Sequence, residues 1–134
     1  MALISSVIFT PGAPITVEAP VPLTLEEKIE VYADKYGVSA YQMGRIIQCE
    51  SGGKSVQSAI VTKSGEKEDS WGIVQIHLPS HPNITKEQAM NTDFALDFLA
   101  QNLGGGRVSM WHGYNPKTDT CSWEYGVTIQ KTTS

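Results

Sequence analysis

One carboxylate in the 134-residue chain stands where an acid catalyst would need it. Glu50 ends the run Met43-Gly44-Arg45-Ile46-Ile47-Gln48-Cys49-Glu50-Ser51-Gly52-Gly53, which reads as the last turns of a helix stopped by two glycines. Residues three and four apart share a helix face, so counting back from Glu50 gives Ile47, Ile46 and Met43. The carboxylate therefore continues an apolar stripe. Removal from water favours the protonated form of a carboxyl, and an acid still protonated near neutral pH can give its proton to a leaving group. The plainer alternative is a helix-terminal glutamate turned out to solvent. A second acidic group, Glu66, Glu68 and Asp69, lies in the polar run Lys63–Ser70 and reads as a solvated loop.

The other reactive side chains support less. His77 and His81 are four apart, but Pro79 and Pro82 oppose the helix that would align them on a metal. Cys49 with His112 would make a thiol hydrolase pair, yet nothing local marks Cys49 as a nucleophile. Two cysteines, Cys49 and Cys121, permit one disulfide and no four-thiolate metal site. A bridge would tie the tail to the Glu50 helix and point to an oxidising compartment; two separate thiols, with Cys49 buried, is the other possibility.

The elements that must hold Glu50 can be read around it. Thr24-Leu-Glu-Glu27 is a capping-box pattern, and Leu25, Ile29, Tyr32 and Tyr36 follow at helical spacing up to Gly37. Ser39-Ala-Tyr-Gln42 is a second box, opening the helix that ends at Glu50. Two helices joined by so short a turn form a helical hairpin. Beyond the glycines, Ala59–Thr62 and Trp71–Ile76 are the β signals, and the polar stretch between them makes a small hairpin of the pair. Thr85-Lys-Glu-Gln88 caps a short helix to about Met90. Asn91 or Thr92 then caps a longer one with Phe94, Leu96, Phe98, Leu99 and Leu103, ended by Gly104–Gly106. Residues 108–114 read as one more short helix, and the chain after Asn115 as irregular with a strand at Val127–Ile129.

Composition bounds the function. The length suits one domain. Four prolines in residues 10–22 mark an extended linker, so the expected organisation is an arm over 1–22, a folded domain over 23–126 and a tail over 127–134. A net charge of −4 without a basic block argues against nucleic acid and acidic membrane surfaces. The apolar N-terminus, Met1–Phe9, is too short to span a bilayer and makes a poor complete signal peptide.

The helix ending in Cys49-Glu50-Ser51-Gly52, followed by Ser70-Trp-Gly-Ile-Val-Gln75-Ile76 and then further helices, resembles the lysozyme and lytic transglycosylase superfamily. In that family a helix-end Glu, usually followed by Ser, faces a strand with Gly, two apolar residues, Gln and another apolar residue. The segments 81–90 and 94–103 also look like the helices after that strand in small bacterial and phage members. The resemblance covers residues 25–114, about two thirds of the chain. It implies an α+β, mainly α, lysozyme-like fold with a small β-hairpin beside the catalytic helix. It further implies cleavage of peptidoglycan glycan strands by a monomer without cofactor or metal, outside the cytoplasm or in a phage particle.

Glycoside cleavage needs a proton on the leaving oxygen and stabilisation of an oxocarbenium-like transition state. The resemblance gives the first task to Glu50. In animal-type lysozymes a second Asp stands two residues before the motif glycine; here that residue is Ser70, with Asp69 one step earlier. Side chains alternate along a strand, so Asp69 is expected on the opposite face unless a bulge re-aims it. A missing second carboxylate is what the transglycosylase branch predicts, with Glu50 acting as acid and then base. The resemblance places Ser51 beside the acid, with Ser58, Ser70 and Gln75 along the glycan groove. Tyr114 takes the place of the family's downstream tyrosine, although its Trp111-x-x-Tyr114 setting departs from the usual Tyr-Asn-Ala-Gly. Trp71 would stack on a sugar ring or fill the core. A hydrolase using Asp69 or a positioned water, a chitin-cleaving relative and an inactive glycan-binding domain are the competing expectations.

Overall fold

The computed structural model describes Gly12 and residues 19–123. Within these residues the chain is mainly helical, with four α-helices and two small antiparallel hairpins. The arm over residues 1–22 lies largely outside the described residues, and the tail with its expected strand at Val127–Ile129 lies wholly outside them.

Helix α1 (Leu25–Tyr36) begins with the expected capping box. Thr24 Oγ1 accepts from the Glu27 N–H at 3.1 Å, and Glu27 Oε1 accepts from the Thr24 N–H at 2.8 Å. Gly37 ends it in the left-handed conformation, φ 66°. Helix α2 (Ala40–Glu50) follows at once, with the Ser39 hydroxyl accepting from the Gln42 N–H at 3.0 Å. Its Met43, Ile46 and Ile47 are buried, so the stripe that leads to Glu50 is the core face. Helices α3 (Lys86–Met90) and α4 (Thr92–Gly104) carry the expected caps at Thr85 and Asn91. Helix α4 packs Leu96 and Leu99 into the same core as α2. Along its outer edge, Lys28 and Tyr32 meet Asp93, and Lys35 and Tyr36 meet Asp97, one helical turn further on.

The β structure departs from the sequence reading. Trp71–Ile76 is not one strand paired with Ala59–Thr62. Strand β1 (Ser70–Trp71) pairs with β2 (Ile76–His77), and the motif Gly72-Ile73-Val74-Gln75 is the turn between them. The Ala59–Thr62 stretch makes only an isolated bridge, Val61 to Lys67. The turn is forced by Gly72 and Gln75, both left-handed, at φ 86° and 55°. A Cβ on Gly72 would lie 1.9 Å from the Ala89 carbonyl oxygen, so only glycine fits against α3. Ile73 and Val74 are apolar because this turn is pushed into the core.

Residues 108–114 are not a helix either. A three-residue 3-10 turn, Val108–Met110, is followed by β3 (Tyr114–Asn115), which pairs with β4 (Thr120–Cys121) where irregular chain was expected. The Cys49–Cys121 disulfide, with its Cα atoms 5.3 Å apart, fastens this second hairpin to the end of α2. It closes the choice between a bridge and two thiols, and removes Cys49 as a nucleophile.

Candidate active site

Glu50 is delivered by the last turn of α2, and three neighbours fix that turn. Gly52 and Gly53 take φ values of 67° and 87° and carry the chain away. The Ser51 hydroxyl donates to the Ile73 carbonyl at 2.7 Å and accepts from the Gly53 N–H, so it pins the helix end to the buried turn of the first hairpin. The disulfide at Cys49 pins it to the second. Glu50 thus sits between two hairpins, both tied to the end of α2.

Its carboxyl is pushed up from 4.5 to about 7. Burial is the main cause, the charge of Glu68 the second; a hydrogen bond from the Gly113 N–H acts in the opposite direction. Gly113 passes so close that a Cβ there would stand 2.8 Å from Glu50 Oε2. The second hairpin is therefore a wall of the Glu50 site, and it needs a glycine at the point of contact.

Glu50 lies where two cavities meet. One, about 500 Å³, is lined by Ser70, Ile76, His77, Ser80, His81, Phe98, Met110, Trp111 and His112. The other, about 510 Å³, is lined by Gln48, Cys49, Ser51, Gly52, Val56, Gln57, Ser58, Ala59, Ile60, Gly113, Ser122 and Trp123. Three residues line both: Glu50, Glu68 and Gln75. Glu50 therefore borders a cavity on each side, and the two are together termed the groove. Gln75 contributes shape more than chemistry, because its amide nitrogen donates to the Val56 and Gly72 carbonyls, both at 2.9 Å. That leaves Glu50 and Glu68 as the two titratable groups at the junction.

The other expected site residues divide. Ser51, Ser58 and Gln75 line the groove, and Ser70 lines its histidine-bearing half. The Ser58 hydroxyl is engaged locally, accepting from the Ile60 N–H at 3.1 Å. Three residues are turned elsewhere. Asp69 points out of the groove and accepts from Trp71 Nε1 at 2.6 Å. Trp71 lines neither cavity, and Lys86 Nζ stands 4.9 Å from its ring centre. The Tyr114 hydroxyl donates to Asp119 at 3.0 Å, beside Tyr41 and Arg45 of α2, and makes no contact with Glu50.

Glu68, read from the sequence as part of a solvated loop, instead lines both cavities, and Trp123 was not singled out by sequence. Residue 68 lies before β1, so its loop and not strand alternation sets its direction. Three backbone-directed bonds hold its loop: Glu68 N–H to the Ile60 carbonyl at 2.7 Å, Gln57 Nε2 to the Glu68 carbonyl at 3.3 Å, and Thr62 N–H to the Glu66 carbonyl at 2.7 Å. Trp123, close to half exposed, carried no local signal. The histidines do converge after all, but on the groove; among the described residues no group of three His, Cys, Asp or Glu side chains is placed to hold a metal ion. Comparisons with protein-family models, curated proteins and solved structures returned no match.

Proposed function

We propose that the protein has a lysozyme-like fold and cuts the glycan strand of peptidoglycan between its muramyl and glucosaminyl residues, as a lytic transglycosylase. The observation that carries this reading is Glu50: a carboxyl pushed up to about 7 that lines both cavities. Glu50 gives its proton to the glycosidic oxygen as the bond to the muramyl anomeric carbon breaks. The carboxylate so formed takes a proton from the muramyl residue's own hydroxyl, whose oxygen closes on the anomeric carbon. The product is an anhydro-muramyl end, and Glu50 is again protonated.

A raised carboxyl suits both steps, since a group poised near the working pH serves as acid and as base. Gly113 leaves room for the carboxyl and directs an N–H at its ionised form. One observation favours a second reading, hydrolysis: Glu68 also faces the junction and could take the proton of an attacking water. Digestion of purified peptidoglycan separates the two by mass. Products one water lighter than the hydrolytic ones support the transglycosylase, and reducing ends support the hydrolase. Sacculus binding without products would leave a glycan-binding domain, and full turnover by Glu50→Gln would remove Glu50 from the mechanism.

The cellular setting belongs to the same proposal. The disulfide fits an oxidising compartment outside the cytoplasm or a phage particle, and no helix among the described residues is long and apolar enough to cross a membrane. The protein works as a monomer, with glycan as its partner and neither cofactor nor nucleic acid required.

A further inference from the structure

One stripe of α2 is given over to the second hairpin. Tyr41, Arg45 and Cys49 stand four residues apart, on one face of the helix, and each is tied to that hairpin. Cys49 is bonded to Cys121 of β4. The Tyr41 hydroxyl donates to Asp119 Oδ2 at 2.6 Å, and Arg45 Nε donates to Asp119 Oδ1 at 3.1 Å. A second guanidinium nitrogen of Arg45 donates to the Asp119 backbone carbonyl at 2.9 Å. Glu50 is the next residue after Cys49.

Asp119 also reaches back to β3. Its Oδ1 accepts from the Tyr114 hydroxyl at 3.0 Å, and Tyr114 directly follows Gly113, whose N–H meets Glu50. One carboxylate thus joins the first two turns of α2 to the strand beside the acid. The disulfide joins the last turn to the partner strand, and the Ser122 N–H closes the ladder on the Gly113 carbonyl at 2.8 Å. Asp119 stands in the turn between these strands at φ 54°, a left-handed conformation that persists in a non-glycine residue where its surroundings hold it. The Tyr41 hydroxyl is the main cause that keeps the Asp119 carboxyl below its ordinary value, so the clasp stays charged where Glu50 titrates. That charge is not what Glu50 feels: burial, Glu68 and the Gly113 N–H set its proton affinity. What Asp119 passes on is position.

We propose that Asp119 is a positioning residue for Glu50: its carboxylate holds the second hairpin in register with α2 and so sets where the Gly113 N–H stands against the acid. The role rests on the cleavage reading, in which Glu50 is the acid to be placed. Asp119 lines neither cavity of the groove and acts only through the wall it holds.

The test follows the Gly113 amide proton and the Glu50 carboxyl carbon by NMR while the full-length protein is titrated between about pH 5 and pH 9. In the wild type the two signals should move together, with a midpoint of about 7. The Asp119 side chain is partly exposed and glycine suits its left-handed turn, so Asp119→Gly should fold. Its Gly113 response should shrink, and the Glu50 midpoint should drop by at least about half a pH unit as the wall withdraws and water reaches the acid. Asp119→Asn keeps an acceptor oxygen in a residue that tolerates the turn and should keep both signals close to wild type. Asp97→Asn removes another carboxylate that ties Lys35 and Tyr36 to α4; as a control for lost stability it should move neither signal. On peptidoglycan, Asp119→Gly should lose at least about tenfold in kcat and little in KM. Unmoved signals or undiminished kcat in Asp119→Gly would overturn the assignment, as would equal shifts in Asp97→Asn. So would shifts in Asp119→Asn as large as those with glycine, because charge and not position would then reach Glu50. Muropeptide analysis of the wild type judges the cleavage reading separately, since the NMR signals require no turnover.

Discussion

Replacing Glu50 by glutamine should make the protein more stable, and only at high pH. The folded-state value of about 7 lies above the ordinary 4.5, so the folded protein holds this proton more tightly than the unfolded chain does. Stability from the group is therefore complete below pH 4.5 and is lost as pH rises through 7. The full difference amounts to roughly 3 kcal/mol, at about 1.4 kcal/mol for each pH unit. Glutamine is neutral throughout, and its amide oxygen can still accept from the Gly113 N–H. The variant should match the wild type within about 0.5 kcal/mol at pH 4 and exceed it by up to about 3 kcal/mol at pH 8. In a domain of this size that is roughly 10 °C in Tm. Asp97 and Asp119, both held below their ordinary values, add their own acid-side dependence, but they are common to both proteins and cancel in the difference. Urea titrations followed by tryptophan fluorescence at the two pH values measure it. An equal effect at pH 4 and pH 8, or a loss of stability at pH 8, would refute the burial argument whatever the protein's activity.

Two glycines should separate stability from activity. A methyl at Gly113 clashes with the tip of the Glu50 side chain and reaches Ser122 Oγ only at an ordinary 4.0 Å, so Gly113→Ala should lower turnover at least about tenfold by displacing the carboxyl while leaving Tm nearly unchanged. A methyl at Gly72 meets backbone at 1.9 Å from a left-handed residue; Gly72→Ala should cost about 3 kcal/mol or more, read from urea midpoints. Removing the disulfide as Cys49→Ser/Cys121→Ser opens a loop with a sequence separation of 72 and should cost about 4 kcal/mol on a chain-entropy estimate. Glu68→Gln removes a charge that raises Glu50, so the basic limb of the kcat/KM profile should move to lower pH; an unmoved limb would mean that the two carboxyls do not sense each other.

The helices were legible because their signals are local. Thr24, Ser39, Thr85 and Asn91 each place an oxygen three residues before the N–H it accepts, and that spacing is visible in the chain itself. The apolar stripe from Met43 to Ile47 likewise gave the face on which Glu50 lies. The hairpin was not legible for an equally physical reason. Ile73 and Val74 have the composition of a buried strand, but burial does not say whether apolar residues enter the core along a strand or at a turn. The deciding residue is Gln75, whose positive φ is uncommon for a non-glycine and is held by two side-chain bonds to backbone carbonyls remote from it in the sequence or across the turn. Tyr114 was misplaced for a similar cause: its hydroxyl is claimed by Asp119, which sits in a second left-handed turn that no local pattern announces.

Glu68 bears most directly on what the protein does. Alternation correctly separates Ser70, buried against the groove, from Asp69, exposed and bound to the Trp71 indole. One residue further back a carboxylate, Glu68, returns to the groove, where the expectation was none. Its position follows from the loop and not from a strand, since Glu68 is held by Ile60 and Gln57 on the chain that crosses in front of β1. The consequence for chemistry is specific. A lone glutamate must serve as both acid and base, whereas a glutamate with an anionic neighbour has help in staying protonated and a second group beside the reacting carbon. On the proposed reading, the charge that raises the Glu50 carboxyl keeps it protonated for its first role, as proton donor, and makes the carboxylate a stronger base for its second; the burial that dominates the shift does the same. If the protein cleaves glycan as proposed, how the cleaved end is resolved, by the sugar's own hydroxyl or by water, turns on whether Glu68 acts through its charge alone or takes a proton. Glu68→Gln distinguishes the two: it leaves the product class unchanged in the first case, and in the second it abolishes reducing ends while anhydro products remain.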